Sequence, residues 1–272
     1  EAPAGADLDA AFQSFLDGME AYNTTGLDAL NLALGEEPPP YLLDVRTIEE
    51  VQEKGHIENA YLIPLRELGQ NLDLLPSFDT QIVSYCGSGW RCTIAMTALG
   101  ALGWQDVLSL KEGSFGGWVE AGYPVVDGLP LDAEPLNAAE PNPELVTTID
   151  AMLQSVPDGY GSVKVDDLAT ELVENPDLTL IDVRRAEEIT DKGVIDHPNQ
   201  ISIPLEDFIA MKDQWPADKD AEIVVYCGSG HRSTIAMTIL WSYGYTNVRS
   251  MNGGFTQWLE AGYPVAEAIP TP

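Results

Sequence analysis

Short apolar runs alternate with stretches of helical periodicity along the chain. Residues 41–45 and 81–85 are apolar runs of strand length, and residues 47–54 follow a helical pattern. Thr47, followed three residues later by Glu50, is typical of a capping box that begins this helix. Strands that alternate with helices form parallel sheets covered by helices. The pattern therefore predicts an α/β fold in which a parallel central sheet is flanked by helices.

The same pattern occurs twice, in the same order, in the two halves of the chain. The motif D-V-R ends at Arg46 and again at Arg184, and the motif I-P-L follows each of them. The strings Y-C-G-S-G, T-I-A-M-T and E-A-G-Y-P-V also occur once in each half. We infer that one domain is repeated. The second copy has Arg185 in place of Thr47, so we expect it to lack the helix cap.

An apolar stripe at helical spacing precedes each copy and predicts an amphipathic helix. The stripes are Leu8, Phe12, Phe15, Leu16 and Met19 in the first copy, and Leu145, Ile149, Met152, Leu153 and Val156 in the second. Between the copies, residues 128–142 are rich in proline and acidic residues and have no sustained period, which is typical of a stiff, extended linker. The predicted domains are therefore residues 1–127 and 143–272.

The composition is strongly acidic. Among 272 residues, 44 Asp and Glu stand against 13 Lys and Arg, for a net charge of −31. Such a surface repels phosphate backbones, so we expect no nucleic-acid partner. It is typical of a solvated surface in an extracytoplasmic or high-salt setting, and a specific basic partner is the alternative. The first residue is Glu1 rather than Met, and a small, acidic segment follows it. We therefore expect a processed, periplasmic or secreted protein, with the cytoplasm as the alternative.

Two further classes of protein are disfavoured. No apolar run approaches the ~20 residues that a membrane helix needs, so we expect no membrane span. Cys86, Cys92 and Cys227 are odd in number and lack the spacing of a zinc site or of a disulfide framework. We therefore expect neither a metal nor another cofactor, and the cysteines require a chemical explanation.

Cys86 and Cys227 open equivalent loops at the ends of predicted strands, where open α/β sheets bind their ligands. A helix is predicted to begin near Cys92 after the first loop. Free N–H groups at a helix start, together with glycines that let the backbone curl, form a nest for an anion. The predicted substrate-binding residues of the loops are Gly87, Ser88, Gly89 and Trp90 in the first copy, and Gly228, Ser229, Gly230 and His231 in the second.

The same loops favour a reactive thiolate. A free thiol has a pKa near 8.5, whereas a helix start and nearby cations lower it to ~3.5–7.5. Arg91 and Arg232 end the loops with a rigid fork of donors that suits an anion. Charged hydrogen bonds contribute ~1.5–3 kcal/mol each, and distant surface charges are screened beyond roughly 8–10 Å. Local donors thus outweigh the acidic surface, and we predict catalytic roles for Cys86, Cys227, Arg91 and Arg232.

The D-V-R motifs place a carboxylate and a guanidinium at neighbouring strand ends. We predict that Asp44 and Asp182 support the loops through internal salt bridges to Arg46 and Arg184. The two arginines are also candidates for binding the substrate anion. For the loop cysteines the alternative is an ordinary buried position, which is common for cysteine. The repetition of the whole loop argues against that alternative.

These motifs resemble the rhodanese, or sulfurtransferase, family over nearly the whole chain, as two rhodanese-like domains in tandem. The resemblance rests on the combination of four features, which are the D-V-R motifs, the G-H-I element at residues 55–57, the C-x-x-G-x-R loops and the closing residues Trp118 and Trp258. The resemblance implies that a cysteine thiolate takes the outer sulfur of thiosulfate or a similar small anion and becomes a persulfide. A thiol, cyanide or a protein then accepts that sulfur. Polysulfide and mercaptopyruvate remain open as donors.

The chain departs from the family pattern in two respects. Tandem rhodaneses commonly keep a reactive cysteine only in the carboxyl-terminal domain, whereas this chain has one in each, so we expect both copies to turn over. The G-H-I element has no clean match in the second copy, where residues 193–197 are G-V-I-D-H. Trp90 and His231 occupy equivalent positions and are candidates for unequal substrate choice. The alternatives are rim packing for Trp90 and a partly exposed loop position for His231, and His56 is predicted to be structural.

Cys92 aligns with Ser233 on the first turn of the predicted helix. A buried helix position is the favoured prediction for Cys92, and resolution of a persulfide on Cys86 is the alternative. Two other functions remain open, a non-catalytic sulfur carrier and a cysteine-dependent phosphatase. The related phosphatase loop is one residue longer, and an acidic surface repels phosphorylated substrates, so the phosphatase is disfavoured.

Overall fold

The computed structural model describes residues 7–267, in two compact units that divide between Val156 and Pro157. The segment 1–6, on which the expectation of a processed protein rests, lies outside the described residues. Within residues 7–267, every helix is too short or too polar to cross a membrane.

The first unit is built around a parallel sheet. Its helices are α1 (Leu8–Gly18), α2 (Leu27–Ala33), α3 (Ile48–Lys54), α4 (Trp90–Leu102), α5 (Ser114–Glu120) and α6 (Pro143–Ser155). Its strands are β1 (Thr24–Thr25), β2 (Tyr41–Asp44), β3 (Tyr61–Leu62), β4 (Ile82–Tyr85) and β5 (Val107–Leu110). Among the described residues these strands form one sheet in the order β1-β5-β4-β2-β3, with every pair parallel.

The second unit repeats this arrangement. Its strands are β6 (Ser162–Lys164), β7 (Thr179–Asp182), β8 (Val194–Ile195), β9 (Gln200–Ser202), β10 (Ile223–Tyr226), β11 (Val248–Asn252) and β12 (Val265–Ala266). Its helices are α7 (Val165–Glu174), α8 (Ala186–Lys192), α9 (His231–Ser242) and α10 (Gly254–Glu260). Within the described range the parallel sheet has the order β6-β11-β10-β7-β9, and β8 pairs with β12 in a separate antiparallel ribbon. The predicted fold class, two α/β domains with parallel central sheets flanked by helices, is confirmed.

Strand register brings the two chemical motifs of each unit to one edge of its sheet. All residues of β2 and β4 are buried, and Asp44 at the end of β2 pairs with Tyr85 at the end of β4. Because both strands run in the same direction, the loop that begins at Cys86 lies beside the D-V-R motif. The register of Asp182 with Tyr226 repeats this placement in the second unit.

The structure divides the chain later than the sequence pattern indicates. We expected α6 to open the second domain, but it belongs to the first compact unit. There the guanidinium of Arg66 donates to the carbonyl oxygen of Val156 at 2.9 Å, and Gly69 lies against Asp150 of α6. An amphipathic stripe predicts which face of a helix is buried, but it does not say which sheet covers that face.

The linker lies on the first unit and contains no regular structure. Residues 128–142 form neither helix nor strand, as their proline content predicts. The N–H groups of Leu136 and Asn137 donate to the carbonyl oxygen of Asp73 at 2.8 and 2.9 Å. The extended connection is therefore fixed to the first unit near its midpoint.

The predicted capping box at the start of α3 is present. Thr47 Oγ1 accepts a hydrogen bond from the N–H of Glu50, and the Glu50 carboxylate accepts one from the N–H of Thr47. In the second unit the equivalent residue is Arg185. An arginine side chain carries only donor atoms, so it cannot accept a hydrogen bond from a helix N–H and, as expected, does not cap α8. The other half of the box persists there, because Glu188 accepts from the N–H of Arg185 at 3.1 Å.

Thr47→Ala should therefore lower the free energy of unfolding of the first unit by about 1 kcal/mol, because one helix N–H loses its acceptor. Hydrogen exchange of the β2 and β4 amides measures this loss unit by unit. Arg185→Ala is the matched control at the equivalent position and should change the second unit by less than about 0.5 kcal/mol. Equal effects of the two substitutions would contradict the asymmetry of the caps.

Candidate active site

The two cysteine loops have the same backbone geometry. Cys86 and Cys227 directly follow β4 and β10, and each is 1% exposed. The N–H of Gly89 points at Cys86 Sγ at 3.2 Å, and the N–H of Gly230 points at Cys227 Sγ at 3.2 Å. Each contact requires a glycine in the left-handed region, with φ of 99° at Gly89 and 105° at Gly230. The curled backbone therefore supplies each sulfur with an amide donor.

The loops are held from the side by the starts of α5 and α10. The N–H of Phe115 donates to the carbonyl oxygen of Cys86 at 2.9 Å, and the N–H of Phe255 donates to that of Cys227 at 2.7 Å. In the first loop the N–H of Cys86 also donates to Ser114 Oγ at 3.0 Å. These bonds fix the loop backbone before any ligand binds.

Arg91 closes the first loop and is held in place by Glu50. The two guanidinium nitrogens Nη1 and Nη2 meet the two carboxylate oxygens at 2.5 and 2.7 Å. A Cβ at Gly87 would lie 3.2 Å from Arg91 Nη2, so the guanidinium lies against the loop backbone. The second loop repeats the fork, with Arg232 donating to Glu188 at 2.6 and 2.7 Å.

The ion pairs of Arg91 with Glu50 and of Arg232 with Glu188 persist over a wide pH range. The hydrogen bonds from Arg91 and Arg232 lower the pKa values of Glu50 and Glu188 to about 2. Because these values lie below the ordinary value of 4.5, the ion pairs are complete above that pH and are lost only as the pH falls towards 2. The forks therefore keep their geometry across the whole neutral range.

Sequence reasoning missed Glu50 and Glu188. A signal was available, because both occur three residues after the helix-start position in the two copies of the repeat. In the sequence, Glu50 is recognisable as a member of the capping box, but its contact with Arg91 is not. Its Oε2 atom serves both purposes, since it accepts from the N–H of Thr47 and from Arg91.

The structure does not bring Arg46 to the loop opening. Its side chain is 1% exposed and forms a bidentate pair with Asp44, in which Nη2 donates to Oδ2 at 2.5 Å. The guanidinium carbon lies 3.8 Å from the centroid of the Phe115 ring. Among the described residues, its Nη1 atom is buried without a hydrogen-bond partner. Arg46 therefore lies beneath the loop, where it supports Phe115.

Arg184 repeats this arrangement in the second unit. It is 1% exposed, donates from Nη2 to Asp182 Oδ2 at 2.6 Å and lies 3.8 Å from the centroid of the Phe255 ring. Burial raises the pKa of Asp182, and the hydrogen bonds from Arg184 offset only part of that effect. Both arginines occupy the internal salt bridges that we predicted for Asp44 and Asp182.

The glycine of the G-H-I element has a structural match in the second unit. Gly55 and Gly193 both adopt φ near +73°, at 73° and 74°, and their carbonyl oxygens accept from Arg46 and Arg184 at 2.8 and 2.6 Å. Between this glycine and the I-P-L motif the second copy has two residues more than the first. These residues follow β8, so they leave the contact intact. His56 is buried, and its Nδ1 atom lies 2.9 Å from the carbonyl oxygen of Ile57, in line with a structural role.

Trp90 and His231 are the first residues of α4 and α9, so the first helix begins two residues before the predicted start near Cys92. Trp90 is half-buried. His231 is 8% exposed, so the alternative of a partly exposed loop position was wrong. The start of the helix buries this side chain against the unit instead.

Cys92 is fully buried, as predicted, and its thiol also contacts Cys86 in the first loop. Its Sγ atom lies 3.7 Å from Cys86 Sγ and 3.2 Å from Ser109 Oγ. Burial raises the pKa of Cys86, but the hydrogen bond from Cys92 and the charge of Arg91 lower it to a net value of about 6. Burial, together with the neighbouring Cys86, raises the pKa of Cys92. The pair therefore carries its negative charge on Cys86.

Alkylation of Cys86 by iodoacetamide should rise through about pH 6 and level off by neutral pH, because the thiolate is the reacting form. The measurement uses Cys227→Ser, so that Cys86 is the loop cysteine that remains. Adding Cys92→Ala should move the midpoint upwards, because the hydrogen bond that stabilises the thiolate is lost. A midpoint near the ordinary thiol value in Cys227→Ser would contradict the expectation.

Comparison with known proteins identifies the family. The chain belongs to the rhodanese-like domain family, whose model matches residues 27–121 and again residues 165–261. The two matches correspond to the two copies of the repeat, and they confirm that the chain is a tandem rhodanese-like protein.

Individual relatives match about a third of this chain each. A sulfurtransferase of Allochromatium vinosum is 32% identical over 100 residues, which are 37% of this chain and 89% of that protein. A rhodanese domain-containing protein of Drosophila melanogaster is 35% identical over 101 residues, 33% of this chain and 89% of that protein. A tRNA uridine(34) hydroxylase of Picosynechococcus is 34% identical over 103 residues, which span 33% of that protein.

Proposed function

We propose that this chain is a sulfurtransferase that carries sulfane sulfur as a persulfide on Cys86 and on Cys227. The observation that carries the proposal is the donor geometry at each sulfur, where a loop amide lies 3.2 Å from Sγ at the start of a helix. This geometry occurs in both copies of a rhodanese-like domain. The likeness to a sulfurtransferase of Allochromatium vinosum supports the same reaction class.

In the first half-reaction the cysteine thiolate attacks the outer sulfur of thiosulfate. A bond forms between Sγ and that sulfur, the sulfur–sulfur bond of thiosulfate breaks, and sulfite leaves with the bonding pair. The lowered pKa of Cys86 supplies the thiolate at neutral pH. In the second half-reaction cyanide or a thiol attacks the outer sulfur of the persulfide, which restores the thiolate.

The loops stabilise the charges of this reaction. The backbone amides of residues 87–90 and 228–231 form the nest that holds the transferred sulfur and the departing anion. Arg91 and Arg232, oriented by Glu50 and Glu188, contribute their charge to the same anion. The side chains of Trp90 and His231 differ most between the two sites, so they set the difference in donor or acceptor preference.

Arg46 and Arg184 support the loops and do not bind the donor. Each is 1% exposed and paired with an aspartate at the strand end. A substrate anion would have to displace that buried carboxylate, which would leave its charge without compensation. The arginines act through Phe115 and Phe255, whose N–H groups hold the cysteine carbonyls.

A thiocyanate assay with thiosulfate and cyanide tests the proposal on Cys86→Ser, Cys227→Ser and the double variant, each in a chain in which Cys92→Ser also removes the thiol beside Cys86. Each single variant should retain the turnover of the other domain, and the double variant should fall to background. Mass spectrometry after thiosulfate alone should find one added sulfur atom per intact loop cysteine in these chains, which lack the thiol of Cys92. Activity in the double variant would place the reactive group elsewhere.

The same experiment separates the other two functions. Added sulfur on the cysteines without turnover to cyanide or thiols would identify a sulfur carrier. Phosphate release from an aryl phosphate would identify a phosphatase, and the absence of both sulfur uptake and turnover would reject the sulfurtransferase.

A further inference from the structure

A second thiol lies within reach of the reactive cysteine in the first unit. Cys86 Sγ and Cys92 Sγ are 3.7 Å apart, and the two residues are 1% and 0% exposed. A disulfide bond is about 2.0 Å long, so the two sulfurs must approach by roughly 1.7 Å to form one. Cys92 is the third residue of α4, so the first turn of that helix presents its sulfur to the loop, and the measured separation is the 3.7 Å between the two sulfurs.

The second unit contains the same arrangement without the second thiol. Ser233 occupies the place of Cys92, and its Oγ atom lies 3.5 Å from Cys227 Sγ. The hydroxyl also donates to the carbonyl oxygen of Gly230 at 3.0 Å. A hydroxyl cannot form a disulfide, so the two loops share a geometry and differ in their redox chemistry.

We propose that Cys92 is a resolving thiol that releases the sulfur of a Cys86 persulfide as hydrosulfide, a step that rests on the proposed persulfide chemistry. The sulfur of Cys92 attacks Cys86 Sγ, and a bond between the two cysteine sulfurs forms. The bond from Cys86 to the outer sulfur breaks, and its electron pair leaves with that sulfur. The proton of the Cys92 thiol moves to the leaving sulfur, so the products are a Cys86–Cys92 disulfide and hydrosulfide.

The surroundings of Cys92 suit this step. Burial and the adjacent Cys86 raise the pKa of Cys92, so it remains a thiol and holds the proton that the leaving sulfur needs. Ser109 Oγ, 3.2 Å from Cys92 Sγ, is a hydroxyl that stabilises the sulfur as it loses that proton. Since the reacting atoms already lie at van der Waals distance, the step has the advantage of an intramolecular reaction.

The disulfide must be reduced before the first unit can react again. An external dithiol does this by thiol–disulfide exchange, in which the dithiol becomes a cyclic disulfide and both cysteines become thiols. The first unit would therefore produce hydrosulfide at the expense of a dithiol. The second unit would keep its persulfide until an external acceptor removes the sulfur. One chain would thus hold two sites with different acceptors.

A single-turnover experiment on full-length variants tests the inference. Cys227→Ser and Cys227→Ser/Cys92→Ser are loaded with thiosulfate, freed of excess donor and followed by hydrosulfide assay and by mass spectrometry without reductant. Cys227→Ser should release one equivalent of hydrosulfide and end as a disulfide. The variant Cys227→Ser/Cys92→Ser should keep its added sulfur and lose it at least about tenfold more slowly than Cys227→Ser does. Stable added sulfur in Cys227→Ser, with Cys92 still free to react with iodoacetamide after unfolding, would overturn the inference.

The Cys92→Ser substitution could abolish hydrosulfide release simply by disturbing the fold. A variant that introduces the second thiol into the other loop excludes this explanation. Ser233→Cys in a Cys86→Ser chain places the second thiol beside Cys227, and it should convert a stable persulfide into hydrosulfide and a disulfide. Cys86→Ser alone is its matched control and should keep the sulfur. If neither thiosulfate nor inorganic polysulfide adds sulfur to any variant, the proposed function itself fails. If sulfur is added and kept in all of them, only the role of Cys92 fails.

Discussion

In a chain that carries Cys227→Ser and Cys92→Ser, the further change Arg91→Met is expected to lower kcat for sulfur transfer from thiosulfate by about 10²–10³-fold. The guanidinium lies against the backbone of the Cys86 loop and is held by two hydrogen bonds to Glu50. In the proposed reaction this fixed orientation would present it to the departing sulfite. Arg232→Met in a Cys86→Ser chain should have the same effect on the second site. Steady-state thiocyanate formation measures both.

Two control variants separate charge from geometry. Arg91→Lys keeps the charge but loses the fork, so its activity should lie between those of the original chain and Arg91→Met. Glu50→Gln keeps one acceptor and removes the carboxylate charge that orients the fork, so it should raise KM for thiosulfate more than it lowers kcat. If Arg91→Met retains full activity, the loop amides alone stabilise the leaving group.

Asp44→Ala is expected to destabilise the first unit by about 3–5 kcal/mol, because it leaves the charge of Arg46 buried without a partner. Arg46 is 1% exposed and Asp44 is fully buried, so water cannot replace the lost carboxylate. A loss of this size is a large fraction of the stability of a typical domain. Hydrogen exchange of the β2 and β4 amides measures it, and the β7 and β10 amides of the second unit serve as the internal reference.

The equivalent Asp182→Ala should have the same effect on the second unit, and an exposed pair provides the contrast. Arg185 and Glu206 have side chains that are 56% and 37% exposed, so Glu206→Ala should cost no more than about 0.5 kcal/mol, as expected for Arg185→Ala. The replacement Asp44→Leu with Arg46→Met removes both charges and should recover most of the lost stability. If that variant folds and keeps the Phe115 amide protected from exchange, but no longer accepts sulfur from thiosulfate, Arg46 binds the donor after all.

The repeat, the central strands and the positions of the two cysteine loops could be predicted from sequence because each depends on short-range pattern. The runs at 41–45 and 81–85 became β2 and β4, and the C-G-S-G-x-R strings became the loops of Cys86 and Cys227. The assignment of helices to one unit or the other depends instead on tertiary contacts. The stripe of α6 shows which face is apolar, but only the packing shows that the first unit covers it.

The direction in which side chains point is the second feature that the sequence does not predict. The D-V-R motif places Arg46 beside the loop, yet whether a guanidinium points outwards or folds back onto its own aspartate depends on the space beneath Phe115. The contact between Cys86 and Cys92 is similar. Six positions separate them in the sequence, and their sulfurs meet because Gly89, at φ of 99°, turns the chain into α4.

The location of α6 determines how the chain can be divided into separately expressed halves. A fragment that ends at residue 142 would lack α6 and uncover the 3-10 helix Leu65–Gln70 against which that helix packs. A fragment that begins at residue 143 would carry an amphipathic helix without its cover, which favours aggregation. Cutting between Val156 and Pro157 avoids both problems. That cut provides the way to compare the two reactive sites in isolation.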